Sequence, residues 1–476
     1  KDAGHRAGGG STSSGGTSRV AVHRGAPAPP QEPMACADRR EDESGRPRVR
    51  LEDAPPYRPI VHKTSGRQTS GRGTGGDRWP SLIGTGRAQA YAHSVLRGPV
   101  RSVTLYTRPN TQAIPGGDLV LEEWFAHFWQ AAGVEIVRAR SDDELAGAET
   151  DLCHVFNLTS SHPLDQPLLR LRSRRPTVGI LLSPVYWSYG TANFYAALTE
   201  SWLKGRPDAP VSELLDALAQ RGLRLVIEGE TVADPEEPRW RRTTVAPHDA
   251  YCRRVVALSD AICASCPGEL GELSRAVGPL LGPTVTIPYP LNQPVATSEA
   301  DSPAGDYVLC LGRLEPRKNQ LGLIRAVASL GLPLVVAGAV VAGQETYAAA
   351  CRRLASETGA EVSFRPPVAG NDLVQLYRGA RVVAQPSYLE YPGLGALEGL
   401  AMGKATVCGL GGAPPDVFGD HVEYCDAGQW TTLVAALAAA WRHGPRRPDS
   451  SAWVRRAHAD PAAQLEPEFR RLGLLR

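Results

Sequence analysis

Pro386-Ser387-Tyr388-Leu389-Glu390-Tyr391-Pro392-Gly393-Leu394-Gly395-Ala396-Leu397-Glu398 is the stretch on which the reading of this chain turns. Residues 381–384 in front of it form a short apolar run of strand length; residues 394–402 read as a helix and 405–408 as a second strand. Strand, loop, helix and strand in that order is the repeating unit of a parallel sheet. The loop also carries chemistry. Glu390 lies in the loop and Glu398 just over one turn inside the helix, so two carboxylates flank the opening. Gly393 and Gly395 permit close backbone approach, and the unpaired N–H groups at the helix start, beginning with Leu394, suit an anion.

Upstream, the same alternation recurs. Tyr307–Leu311 reads as a strand, Asn319 as the cap of a helix over Gln320–Leu330 stopped by Gly331, and Leu334–Ala337 as the next strand. A helix over 345–357, a strand over 361–364 and a helix over 372–378 complete the series up to residue 381. Directly after the first of these strands stands Gly312-Arg313-Leu314-Glu315-Pro316-Arg317-Lys318-Asn319. Arg313 and Lys318 leave the sheet at the edge where α/β folds bind ligands. A guanidinium fork and an ammonium five residues apart suit a diphosphate, and as ligand-facing groups they are expected to matter little for stability.

The first half is similar in rhythm. A strand over 102–107, a helix over 119–132 with Leu121, Trp124, Phe125 and Phe128 at helical spacing, and a strand over 134–137 make a β-α-β unit. Further short apolar runs at 151–156, 177–182, 223–227, 255–258 and 284–287 are expected as strands, and 202–254 as a stretch whose helices decorate one edge. The fold class is therefore α/β: two Rossmann-like, doubly wound domains facing across a cleft, over 99–292 and 293–476, joined by a Pro/Ser/Ala-rich hinge, with the last helix crossing back. Residues 1–98 are rich in Gly, Ser, Arg and Pro without apolar periodicity and are expected to be a disordered extension.

Charge and cysteine content narrow the partners. The first 100 residues carry 16 Lys and Arg against 9 Asp and Glu, leaving 36 against 41 for the remainder, so the folded part is mildly acidic and nucleic acid is not expected as a partner. Nine cysteines, an odd number spread from Cys36 to Cys425, do not form a disulfide framework and fit a reducing cytoplasm. The single Cys263-x-x-Cys266 lacks a second pair at zinc spacing. No apolar run reaches membrane-spanning length, which leaves peripheral contact with the inner membrane face open. The first residue is Lys, so the sequence is expected to start inside or upstream of a reading frame.

The two clusters together resemble the family-4 (group 1) retaining glycosyltransferases of the GT-B fold, which share a Glu-x7-Glu signature. Residues from about 100 to 470 fit the pattern. Glu390, Gly393, Leu394, Leu397 and Glu398 match the family's E-G-F-G-L-P-x-L-E form; Tyr391, Pro392 and Gly395 depart from it. The resemblance implies that Glu390 holds donor-sugar hydroxyls, Glu398 the ribose, and Arg313 with Lys318 the diphosphate of a nucleotide-diphosphate sugar. Gly116-Gly117 is similar to the family's glycine loop near the donor phosphates. Asp151-Leu152-Cys153-His154 resembles its D-x-x-H strand, placing His154 either near the acceptor or in the core. The histidine that the family often carries after the next strand is absent, and Ser183 or His162 is a candidate replacement. No Asp-x-Asp motif occurs, so no metal and no cofactor are expected, with the sugar passing to a sugar, lipid-linked or small-molecule acceptor. A nucleotide-sugar epimerase of the same architecture and a non-catalytic nucleotide-sugar-binding regulator are the alternatives.

Overall fold

The computed structural model describes residues 99–109, 117–159, 163–227, 246–291, 295, 305–458 and 460–476. The expected extension over 1–98, the boundary at 292–293, Gly116 and His162 lie outside these residues. Two six-stranded sheets organise the chain, and every neighbouring pair of strands is parallel.

The first sheet has the order β2-β1-β3-β4-β5-β6, with β1 at Ser102–Tyr106, β2 at Glu135–Arg138, β3 at Leu152–Phe156, β4 at Gly179–Ser183, β5 at Ala261–Ala264 and β6 at Thr284–Thr286. The second has the order β12-β11-β10-β7-β8-β9: β7 Tyr307–Leu311, β8 Leu334–Ala337, β9 Val362–Arg365, β10 Ala380–Gln385, β11 Ala405–Gly409 and β12 Glu423–Cys425. Strands β3, β4, β5 and β11 are buried along their whole length, as central strands with helices on both faces must be.

Helices supply the covering layers. In the first half they are α1 (Gly117–Ala131), α2 (Asp142–Ala146), α3 (Asp165–Arg174), α4 (Gly190–Gly205), α5 (Val211–Ile227), α6 (Ala246–Leu258) and α7 (Pro267–Val277). The second half has α8 (Gln320–Leu330), α9 (Glu345–Thr358), α10 (Gly370–Gly379), α11 (Leu394–Ala401), α12 (Pro414–Phe418), α13 (Trp430–His443), α14 (Ser450–His458) and α15 (Ala462–Arg471). Helix α8 shows why the local sequence folds this way. Leu323, Ile324, Val327 and Leu330 recur at helical spacing on its buried face, Asn319 Oδ1 accepts from Gly322 N at 3.2 Å to cap its start, and Gly331 ends it at φ 64°.

Two expected strands are corrected. Residues 223–227 continue helix α5, in which Val211, Leu214, Leu215 and Leu218 set a buried helical stripe and the helical backbone runs on to Ile227. Residues 255–258 end helix α6, in which Tyr251, Cys252 and Val255 form one buried face; the strand comes afterwards, as β5.

Elements also trade sides. Helices α4 and α5 pack on α8 and α9, and Tyr195, Leu203, Leu214 and Leu218 share one apolar cluster with Val308, Ile324 and Leu433. In the other direction α15 returns to β6, the Phe469 ring lies tilted 5.2 Å from that of Trp129, and Val100 N donates to Leu474 O at 3.0 Å.

Candidate active site

In the second sheet the strand order reverses between β7 and β10, so the connections leaving their carboxyl ends diverge and open a crevice. Those two connections are the Arg/Lys loop and the Glu390 loop. Each is fixed by backbone and buried polar contacts. Asn319, left-handed at φ 54°, caps α8 with its carbonyl and donates its amide N–H groups to Pro386 O at 3.2 Å and Ala427 O at 3.0 Å. Tyr388 N donates to Arg317 O at 2.9 Å. On the far side, Glu390 N donates to Gly411 O at 3.1 Å and Ala413 N to Glu390 O at 3.0 Å. Gly411 and Gly412 are required there, because a Cβ on them would stand 2.0 Å from Tyr388 O and 2.2 Å from Glu390 O.

Glu390 is buried at 5% exposure. Its Oε1 accepts from Lys318 Nζ and from Ser387 Oγ, each at 2.5 Å, while Oε2 faces Arg317 Nη1 at 3.8 Å. Burial pushes this carboxyl up, but the charges of Lys318 and Arg317 and the two hydrogen bonds outweigh it and hold it below the usual carboxylate range. Arg317 is pinned in turn, donating to Leu389 O at 2.7 Å and to Glu315 Oε1 at 2.7 Å. Its burial is overcome by Glu390 and Glu315, which raise its pKa further. Arg313 is the more open cation, with side-chain exposure of 36% and a 3.2 Å contact to Glu315.

Helix α11 begins in the same place. Gly393, at φ 99°, turns the chain into it, and its carbonyl accepts from Ala396 N and Leu397 N at 3.0 and 3.1 Å. With those two N–H groups satisfied, the amides ahead of them, at Leu394 and Gly395, are the ones at the helix start facing the crevice. Gly395 sits where a Cβ would meet Gln385 Nε2 at 2.5 Å, an amide held by Leu311 O. Opposite α11 lies the start of α1: a Cβ on Gly117 would be 3.9 Å from Leu394 Cδ1. The structure thus brings together Arg313, Lys318, Glu390, Gly393, Leu394 and Gly117. Glu398, one turn further into α11, is buried, with Tyr377 donating its hydroxyl to Oε2.

His154 and Ser183, the acceptor-side candidates, are both buried, and of the two places open to His154 the structure gives it the core. They form a pair inside the first sheet, His154 Nε2 to Ser183 Oγ at 2.9 Å on neighbouring strands β3 and β4. His154 is fully buried, with ring centroids of Phe156 and Phe125 at 4.1 and 4.4 Å, and burial pushes its pKa well below the usual histidine range. Cys263 and Cys266 are buried free thiols with pKa values raised by burial, and among the described residues no group of three or more His, Cys, Asp or Glu is placed to hold a metal ion.

Residues 299–456 match the family model for glycosyl transferases group 1. The D-inositol 3-phosphate glycosyltransferase of Mycobacterium tuberculosis is 36% identical over 138 residues, 27% of this chain and 29% of that protein, so the chain spans under a third of this curated relative. Among solved structures, the sucrose-phosphate synthase from Thermosynechococcus elongatus is similar at a TM-score of 0.57 with 15% identity, over 78% of this chain and 99% of that one. Anabaena HepE in complex with UDP and glucose is similar at 0.53 with 13% identity, over 78% and 99%. The two parallel sheets with their helices have the GT-B fold.

Three contributors escaped the sequence reading. Arg317 was quoted between Pro316 and Lys318 without a role, yet it is the cation enclosed beside Glu390. Ser387, three residues before Glu390, holds one carboxylate oxygen. Gly409-Leu410-Gly411-Gly412 forms the wall behind the loop, and three glycines within four residues after a strand was the available signal.

Proposed function

We propose that this chain is a retaining, metal-independent glycosyltransferase that moves a sugar from a UDP-sugar to a hydroxyl of a sugar, lipid-linked or small-molecule acceptor. The observation that carries the reading is the Lys318–Glu390–Arg317 group at the strand-order reversal, facing the starts of α11 and α1. The group 1 match over the same residues supports the transferase class, and the UDP bound in the Anabaena relative supports a uridine donor.

The roles follow from what each atom has left to offer. Glu390 Oε1 already accepts two hydrogen bonds, whereas Oε2 has only Arg317 at 3.8 Å, leaving acceptor capacity for a sugar hydroxyl. Arg313, Lys318 and the first amides of α11 take the diphosphate, and Glu398, oriented by the Tyr377 hydroxyl, takes the ribose. In the reaction the bond from the anomeric carbon to the β-phosphate oxygen breaks. The acceptor oxygen bonds to that carbon on the same face, and its proton passes to the departing phosphate oxygen. Cations and helix amides balance the developing charge, so no divalent ion is needed.

Incubation with a panel of nucleotide sugars and candidate acceptors, with NMR of the first-formed product, tests this. Retained anomeric configuration and turnover unaffected by a strong chelator are expected. Inversion, a covalent glycosyl adduct on Glu390, or strict dependence on Mg²⁺ or Mn²⁺ would each refute the corresponding part.

A further inference from the structure

Among the described residues, two buried side-chain polar atoms have no hydrogen-bond partner, Arg353 Nε and Trp187 Nε1. Arg353 is readily explained: its Nε is 3.4 Å from Glu357 Oε1, and its other nitrogens donate to Pro207 O and Ala209 O. Trp187 has no comparable account. Native folds seldom keep a buried N–H without an acceptor, and each one that remains calls for an explanation.

The position of Trp187 gives the orphan meaning. It lies in the connection from β4 to α4, at the carboxyl end of the first sheet. Its carbonyl accepts from the hydroxyl of Tyr391, the residue after Glu390, at 3.3 Å. The outer rim of its indole lies at the start of α7, where a Cβ on Gly268 would be 3.2 Å from Trp187 Cη2. Gly268 N there donates to Asp416 Oδ2 of the second half at 2.8 Å. Trp187 is therefore tied on one side to the start of α7 and, through its backbone carbonyl, to the loop after β10, with Asp416 of α12 bonded to the same turn as its indole rim. The backbone that carries it is held in place. Val185 adopts φ 45°, a conformation a β-branched residue seldom accepts, and Tyr186 N donates to the buried Glu269 Oε1 at 2.9 Å.

We propose that the Trp187 indole N–H is a specificity-determining donor to a hydroxyl oxygen of the sugar substrate bound in this cleft, an assignment that rests on the transferase reading above. Indole nitrogen can only donate, and it carries no charge, so it suits a neutral hydroxyl and leaves the phosphates to Arg313 and Lys318. The aromatic rings of Tyr189 and Tyr391, 6.0 Å apart next to it, offer the apolar faces against which sugar C–H groups pack. The hydroxyl belongs either to the transferred sugar or to the acceptor, and the two sources separate by experiment.

Trp187→Phe removes the N–H and keeps an aromatic ring, without the indole's outer rim. Calorimetry with UDP alone is the control and is expected to give the wild-type affinity. If the hydroxyl is on the transferred sugar, affinity for the UDP-sugar that the wild type uses falls about 3- to 10-fold against UDP; if it is on the acceptor, acceptor KM rises by a similar factor with the donor unchanged. Unchanged affinity for both substrates overturns the assignment. A wild-type protein that neither binds nor turns over any sugar nucleotide would instead overturn the transferase reading, and the indole's role with it.

Discussion

Lys318→Ala is the perturbation that most directly separates a ligand-facing cation from a structural one. A freely ligand-facing lysine would be removable without loss of stability, but Lys318 is only 14% exposed and sits 2.5 Å from a carboxylate that is itself buried. At an effective dielectric of about 20, an ion pair at that distance is worth roughly 6–7 kcal/mol before desolvation, and Arg317 at 3.8 Å keeps roughly 4 kcal/mol of attraction on Glu390 after Lys318 is gone. Removing one member of a buried pair typically destabilises by about 3–5 kcal/mol; with Arg317 and Ser387 remaining, about 1–3 kcal/mol is expected. The pH dependence carries the sharper signature. Glu390 is depressed in the folded state, so its contribution is present above the ordinary glutamate value of 4.5 and is lost as pH falls through its folded pKa. Removing Lys318 weakens that depression. Denaturant midpoints of wild type and variant should differ most near pH 7 and converge as pH drops below 4.5. An equal difference at pH 7 and pH 3.5, or none at pH 7, would refute the ion-pair reasoning. Transfer activity should fall in parallel, by roughly 2–4 kcal/mol of transition-state stabilisation.

Gly412→Ala should lower stability by at least about 2 kcal/mol, because a left-handed residue gains a Cβ that collides with Glu390 O. Full activity at wild-type stability would show that the wall behind Glu390 tolerates displacement. His154→Ala should destabilise by about 3–5 kcal/mol, as for other large ring truncations in a core, while acceptor KM in the surviving protein changes little. A raised acceptor KM with unchanged melting temperature would return His154 to the acceptor side.

Much of the second half was legible because its signals are local. The strand Tyr307–Leu311, the Asn319 cap, helix Gln320–Leu330 and the strand Leu334–Ala337 occur where the residues place them. The first half was harder. Residues 223–227 and 255–258 are apolar runs of strand length, and only the stripes begun at Val211 and Tyr251 reveal them as helix ends. Within the site, the grouping of Lys318 with Glu390 depends on a strand-order reversal that brings loops 72 residues apart together, and no local pattern encodes it. The same holds for His154: a polar residue in an apolar strand is equally compatible with a cleft wall and a core, and its bond to Ser183 on the next strand decides for the core.

The exchange of helices between the two halves bears on how such a protein can be re-engineered. Donor halves of related folds invite grafting, with the linker as the natural place to cut. Here a cut near residue 293 would leave the second sheet without α4 and α5, baring the side of α8 and α9 that Leu214 and Leu218 now cover. It would also strip Phe469 from Trp129 in the first half. A chimaera built on that seam would start with two unsheltered apolar faces. The exchangeable module is discontinuous: residues 190–227 travel with the second sheet, and the helix from Ala462 to Arg471 stays with the first.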